Sequence, residues 1–476
     1  MKKIKALALI LAALVLTSCF EDRDDNTVQA SSINDFVWKA MNAVYLYKSE
    51  IPNLANDRFT NNAEYAEYLN SFSSPEALFE SLIFQRQTVD RFSIIVDDYI
   101  ALEQRQQGIF KTNGMEFALY AAPNSDTELV GVVRLVINGS EADTKGVKRG
   151  DLFSQVNGTT ITRTNAGDLL GPDVYTINLS TYDDKGTPEN TDDTIEPNGT
   201  NITLEKFQFT ENPIHINKIF QVGGENVGYL MYNGFIGDSE IGLNTVFGDF
   251  KSSNVQHLVI DLRYNPGGFV STMTFLASMV TGQFTGQVFE KLIYNENLQE
   301  RNRDFLYADN ISGNTINSLG LSKVYVLTTD RSASASEGLI NGLSAYIEVV
   351  QIGTNTTGKT QASSIFYDSS NFGRQGANPA HTYAIRPLIA NGINKNLEAV
   401  PGTGLPPSIG FEYEERPLNL GVLGEVNEPM LALALADIEN STSKRNLIKE
   451  KPVLLAKSEI DSNDFLPFEK GGLIAD

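Results

Sequence analysis

Cysteine and histidine are almost missing from this chain, which has one and three of them in 476 residues. The lone cysteine, Cys19, cannot be half of an internal disulfide, and no metal site or cofactor is expected. Three histidines leave little material for a serine–histidine–aspartate site. Basic residues are scarce as well: 37 Lys and Arg stand against 59 Asp and Glu, a formal net charge of −22. So negative a chain repels phosphate backbones and anionic lipid, which argues against nucleic acid and bare membrane surfaces as partners. After the first twenty residues no apolar run is long enough to cross a bilayer.

The N-terminus carries Lys2, Lys3 and Lys5, then an apolar stretch from Ala6 to Leu16, then Leu16-Thr17-Ser18-Cys19. A basic start, a short apolar core and small residues ahead of a cysteine describe an export signal, not a fold element. The pattern resembles the lipobox of bacterial lipoproteins and implies lipidation at Cys19. Residues 1–18 are then expected to be removed, with 19–34 as a tether in which Glu21, Asp22, Asp24 and Asp25 are solvated. The expected location is extracytoplasmic, lipid-anchored to a bacterial membrane, the outer one by preference. Contact with the membrane is expected only through that anchor.

Length predicts two or three domains. Residues 35–48 place Val37, Met41, Val44 and Tyr45 at helical spacing, with Trp38 and Tyr47 beside them, and 62–85 also read as helical. Together they predict an N-terminal helical region over 35–107. From Gly108 the pattern turns to strands. Val130–Ile137 is an apolar run ending at Asn138-Gly139-Ser140, and Gly146 to Asp151 leads into Leu152–Val156 and the Asn157-Gly158 turn. This order resembles bacterial PDZ domains over about 108–210, and implies an extended peptide bound along an open sheet edge. Gly114-Met115-Glu116-Phe117 is the candidate loop for a peptide carboxylate. Residues 183–200, rich in Asp, Thr, Asn, Gly and Pro, read as an exposed loop.

From 211 to 440 strands and helices alternate: strands at 227–231, 257–262, 324–328 and 347–352, helices at 269–282, 335–346 and 430–439. Alternation predicts crossover units and a largely parallel sheet, whose reactive groups gather at the C-terminal ends of strands. The overall class is α/β multidomain. Residues 441–476 read as a surface tail.

Three motifs stand at those strand ends. Asp261-Leu262-Arg263-Tyr264-Asn265-Pro266-Gly267-Gly268 puts two glycines between a strand and a helix, where backbone amides can approach a ligand. Asp330-Arg331-Ser332-Ala333-Ser334-Ala335-Ser336-Glu337 places a serine at a strand-to-helix corner. There Ser334 is equally a capping-box residue with Glu337. Gly358-Lys359-Thr360 follows the next strand. In this order and spacing the three resemble the carboxyl-terminal processing peptidases, also called tail-specific proteases.

That resemblance covers about 110–440 and implies a ClpP/crotonase-like protease core. It implies Ser334 as nucleophile, Lys359 as general base, and an oxyanion hole from the Ala335 amide with Gly267 or Gly268. It further implies polypeptide substrates cut near a free C-terminus through an acyl-enzyme. A lysine base must be neutral, so its ordinary pKa of about 10.4 has to fall towards 7–8 on burial. Many family members carry glutamine four residues after the lysine. Here Ser363 stands there and Gln361 lies two residues on, so both are candidates for the third member.

Rival readings exist. Gly353 to Thr360 fits the phosphate-binding P-loop pattern, but Gln361 to Asn371 has no helical face to follow it. Ser441-x-x-Lys444 mimics a penicillin-binding signature without its partner motifs. His257 lies within an apolar strand, which predicts a core role, and His381 sits in a polar loop. A non-enzymatic alternative is a surface peptide-binding lipoprotein with an inactive protease shell.

Overall fold

The computed structural model describes residues 31–187, 192–359, 361–439, 458–465 and 473–475. Cys19, the export signal, most of the tether and Ser441-x-x-Lys444 lie outside the described residues.

The chain opens with α1 (Ser32–Val44), so the last residues assigned to the tether are already helical. Its buried face, Phe36, Val37, Ala40, Met41 and Val44, follows the helical spacing of the sequence. The helix expected over 62–85 is two, α2 (Asn62–Asn70) and α3 (Pro75–Ser81). Asn61 and Ser74 accept from the Glu64 and Ala77 amides, and Pro75 opens α3, so each helix has its own cap. Trp38 packs edge-on against Tyr65, ring centroids 5.1 Å apart, in the apolar centre of this domain.

A β domain follows. Its sheet contains β1 (Met115–Ala121), β2 (Leu129–Val136), β3 (Leu152–Val156), β4 (Val174–Asp183) and β5 (Thr194–Glu205) in sequential antiparallel order, with helix α4 (Ala166–Leu170) against it. The loop expected over 183–200 is corrected: β4 and β5 pair from Asp183↔Thr194 to Val174↔Glu205, making a long hairpin. β5 is exposed on both faces from Glu196 to Asn201, so that strand lacks the apolar alternation that sequence reading relies on.

The core sheet is five-stranded, in the order β6 (Ile214–Val222), β7 (Glu225–Tyr232), β8 (His257–Asp261), β10 (Lys323–Thr328), β11 (Glu348–Gly353). β7, β8, β10 and β11 run parallel, as the alternation predicts, and β6 is antiparallel. Crossover helices α5 (Glu240–Ser252), α6 (Val270–Val280) and α7 (Ala335–Ser344) cover one face, and α8 (Pro429–Ile438) covers the other. A second sheet carries β9 (Val288–Tyr294), β13 (Leu388–Asn394) and β12 (Gln361–Ser363).

The tail expected over 441–476 is also corrected in part. β14 (Ile460–Asp461) pairs antiparallel with β1, and β15 (Leu473–Ile474) pairs parallel with β12. Two-residue strands leave no periodic signal in a sequence. His257 is likewise corrected: it opens β8 at the sheet end, partly exposed, with Nε2 2.5 Å from Glu225 Oε2.

Candidate active site

The parallel strands β8 and β10 end side by side, and each runs into one of the motifs. After β8, Arg263 is fully buried and is held by Asp261 (2.8 Å), Glu428 (2.6 Å) and Glu415 (3.0 Å). Burial penalises the Glu415 charge, yet Arg149 and Arg263 hold its carboxyl well below the usual carboxylate range. This buried ionic cluster fixes the strand end to α8 and, through Arg149, to the β domain. The Asp-Leu-Arg part of the motif is therefore a positioning device.

The glycine turn follows from that anchor. Gly267 and Gly268 have φ of 104° and 141°, conformations that favour glycine. A Cβ on Gly267 would stand 2.7 Å from Ser334 Cβ and 3.0 Å from the Ala335 nitrogen, so the turn lies directly on the serine corner. The Gly267 amide donates to Asn265 Oδ1 at 2.8 Å. Among the described residues the Gly268 amide donates to nothing, and the Ala335 amide heads α7, where no intrahelical acceptor exists. These two amides are the ones left for a developing negative charge.

At the serine corner, the outer two serines serve as ties. Ser332 Oγ donates to the Leu262 carbonyl at 2.7 Å and Ser336 Oγ to the Asn265 carbonyl at 3.0 Å. The central Ser334 has φ 64° and ψ −110°, a strained conformation for a residue with a side chain. Its Oγ is buried and no hydrogen bond of ordinary geometry satisfies it, although it faces the Glu337 amide as a capping-box residue does. An ordinary N-cap does not need that backbone, although the Glu337 limb of the capping box is present: Glu337 Oε2 accepts from the Ser334 amide at 2.7 Å.

Glu337 reaches further than a cap. Oε2 also accepts from the Lys359 amide (2.8 Å), and Oε1 accepts from the Gly358 amide (2.7 Å) and the Thr356 hydroxyl. Ser334 and Lys359 are thus held within two hydrogen-bond lengths of each other by one carboxylate oxygen. Burial raises the Glu337 pKa, against the lowering by these donors.

Lys359 is 1% exposed, with Nζ 4.7 Å from the Phe92 ring centroid. Phe92 comes from the N-terminal domain. Its neighbour Arg91 donates to the carbonyls of Thr357 (3.0 Å) and Gly358 (3.1 Å), clamping the lysine loop from the same side. Arg91 and Phe92 carry no motif and are invisible to sequence reading, and Thr356 is only a variable position of the P-loop-like run.

Other expectations meet the structure as follows. Ser363 Oγ donates to the Leu473 carbonyl at 3.2 Å, and the Gln361 side chain lies beside the Tyr47 hydroxyl, whose pKa it lowers against the effect of burial. Their side chains are directed to those partners. The cradle expected at Gly114–Phe117 is closed in this conformation. The Gly114 and Met115 amides donate to Thr112 Oγ1 and Asn113 Oδ1, and the Phe117 amide to Ser462 Oγ. Strand β12 follows the P-loop-like segment where a phosphate site needs a helix. His381 bonds Asp368 at 3.0 Å, so it is engaged away from Ser334 Oγ. A cavity of about 170 Å³ lies between the start of β1 and the glycine turn, with Asn113, Met115 and Phe117 on one side and Gly267, Gly268 and Ile474 on the other; Ser334 and Lys359 do not line it.

Comparison with known proteins agrees with this architecture. Residues 32–94 match the peptidase S41 N-terminal domain, and residues 226–379 match peptidase family S41. A "Carboxyl-terminal-processing protease" of Picosynechococcus is 24% identical over 247 residues, 51% of this chain and 54% of the relative. A "Probable CtpA-like serine protease" of Staphylococcus aureus is 24% identical over 317 residues, 65% of this chain and 57% of the relative. The chain therefore spans little more than half the length of these curated relatives. The crystal structure of a Bacteroides fragilis protein assigned to the S41 proteases superposes with a TM-score of 0.68 at 26% identity, covering 85% of this chain and 97% of that one. In its N-terminal region, in the greater part of its core and in its fold, the chain is similar to the peptidases of family S41.

Proposed function

We propose that this protein is a serine endopeptidase that cleaves polypeptides, near a C-terminus, with Ser334 as nucleophile and Lys359 as general base. The observation that carries the reading is the shared Glu337 oxygen. It locks the backbone of both residues into one rigid unit while no hydrogen bond of ordinary geometry satisfies the serine hydroxyl. A buried hydroxyl left unsatisfied costs free energy, and reactive sites are where such costs are retained.

In this mechanism the neutral Lys359 amine takes the Ser334 proton as Oγ attacks the scissile carbonyl. The bond from carbonyl carbon to Oγ forms, and the oxyanion is met by the Ala335 and Gly268 amides. Collapse expels the amine product, which takes the proton back from lysine, and leaves an acyl-enzyme. Water then attacks the ester by the same route in reverse. The β domain, in its PDZ-like role, offers the β1 edge to an extended peptide. The export and lipid-anchor reading of residues 1–19 places this activity outside the cytoplasm.

The test is to incubate the purified protein with denatured casein and map the cut sites by mass spectrometry. Cleavage that vanishes in Ser334→Ala supports the reading. Absence of any cleavage by the wild type overturns it.

A further inference from the structure

The residues beyond 457 touch the reactive centre at two places. At the first, β14 lies along β1, antiparallel, with Ile460 opposite Leu119 and Asp461 opposite Ala118. The Glu459 amide donates to the Leu119 carbonyl at 2.8 Å, and Ser462 Oγ accepts from the Phe117 amide at 3.1 Å. Ile460 and Phe465 pack on the apolar core of the β domain, the Phe465 ring 6.1 Å from that of Phe117. The Asp461 carboxylate receives Arg134 at 3.1 Å and stands 3.8 Å from Arg331, three residues before Ser334.

At the second place, β15 bridges the two walls of the reactive cleft. On one side the Ile474 amide donates to the Gly268 carbonyl at 2.9 Å. On the other, Leu473 and Ile474 pair with Ala362 and Ser363, and the Ala475 amide donates to the Ser363 carbonyl at 3.0 Å. The glycine turn and the strand after Lys359 thus both bond the main chain of one extended segment. Main-chain bonds on both walls, with side chains in apolar pockets, are how an extended polypeptide of any sequence is held. Ser334 is only 2% exposed in this arrangement.

We propose that segments 458–465 and 473–475 are an intramolecular occupant of the enzyme's own polypeptide-binding track. A substrate engages the same two edges, β1 and β12 with Gly268, and must displace the occupant to reach Ser334. Each edge is held by two paired residues and a few side-chain contacts, so release of either is a local event. Tethering nonetheless gives the occupant an effective concentration on the order of millimolar, against which substrate competes. The preferred substrate is an extended, unfolded polypeptide with apolar residues at the positions of Ile460, Phe465 and Ile474 and an acidic one at Asp461. This rests on the peptidase reading above.

The test compares the full chain with a chain ending at residue 457, using a quenched fluorogenic unfolded polypeptide. The expected result is a KM lower by about tenfold or more in the shortened chain with kcat changed less than about twofold. Added peptide 458–476 should inhibit the shortened chain competitively. Should the shortened chain misfold, the full-length variants Asp461→Arg and Ile474→Asp decide, each lowering KM if the proposal holds. Unchanged KM in a folded shortened chain or in both point variants overturns it, as does lost activity with the fold intact. Should no form cleave anything, the peptidase reading fails. Anisotropy of fluorescein-labelled 458–476 with the shortened chain then decides occupancy by itself: saturable binding upholds it and no binding overturns it.

Discussion

Arg331 Nη2 donates to Glu116 Oε2 at 2.6 Å, joining the residue three positions before Ser334 to the start of β1. Both side chains are largely buried, so the pair is little screened by solvent. The β domain is thereby coupled to the serine corner by a specific ion pair. Glu116→Gln should weaken docking of that domain by about 1–3 kcal/mol, the cost of leaving a buried guanidinium short of its partner. The measurement is limited proteolysis together with KM for a protein substrate. An unchanged cleavage pattern and KM would count against the coupling.

Ser334→Ala should fold like the wild type and turn over on the order of 10⁴-fold more slowly, since the members of a catalytic unit fail together. Ser334→Gly should be equally inactive but more stable by about 1 kcal/mol, because glycine accepts φ near 64° without strain. Thermal melts and single-turnover assays on both variants check this. A Gly variant no more stable than the Ala variant removes the strain argument.

Glu337→Gln keeps the size of the side chain but replaces one acceptor oxygen with an NH2 group, leaving two of its four donors without an acceptor. Its kcat should fall by about 10²–10³-fold with KM nearly constant, because a positioning contact made in the free enzyme is lost for the transition state. A variant with raised KM and normal kcat would instead place Glu337 in substrate binding.

If Lys359 acts as a neutral base, kcat/KM should rise with pH through one ionisation below an ordinary lysine. Lys359→Ala should abolish the rise with the activity. Lys359→Arg should be as inactive, since guanidinium stays protonated. An active Lys359→Arg enzyme would rule the base out.

Glu290 supplies a stability prediction independent of catalysis. It sits on β9 with Oε2 unpartnered, and desolvation raises its pKa to about 8. The folded state therefore holds this proton where the unfolded chain, with a pKa near 4.5, has released it. Stability is highest below the unfolded value and is lost as pH rises from about 4.5 to 8, by a few kcal/mol. Glu290→Gln should flatten that decline in Tm. A decline that persists in the variant assigns it to other groups.

Much of this layout was legible in the chain itself. The buried parallel strands are uninterrupted apolar runs, and the Gly-Gly, Ser334 and Lys359 motifs sit where those runs stop. Glu337 was visible only as a cap, because its bonds to Gly358 and Lys359 depend on how β11 returns beside β10. Phe92 and Arg91 left no trace, being supplied by another domain. β5 was hidden by its exposed run from Glu196 to Asn201, and β14 and β15 by their brevity.

The clamp of Arg91 on the lysine loop spans 266 residues of sequence to Thr357. Contacts of such separation close late, since a long loop must be ordered before they form. The core of the N-terminal domain itself takes in Ile385, with Phe366 and Phe372 packed on it, so that domain too is completed only after the lysine loop has been made. The candidate site, built from segments at both ends of this separation, is therefore among the last parts of the molecule to form.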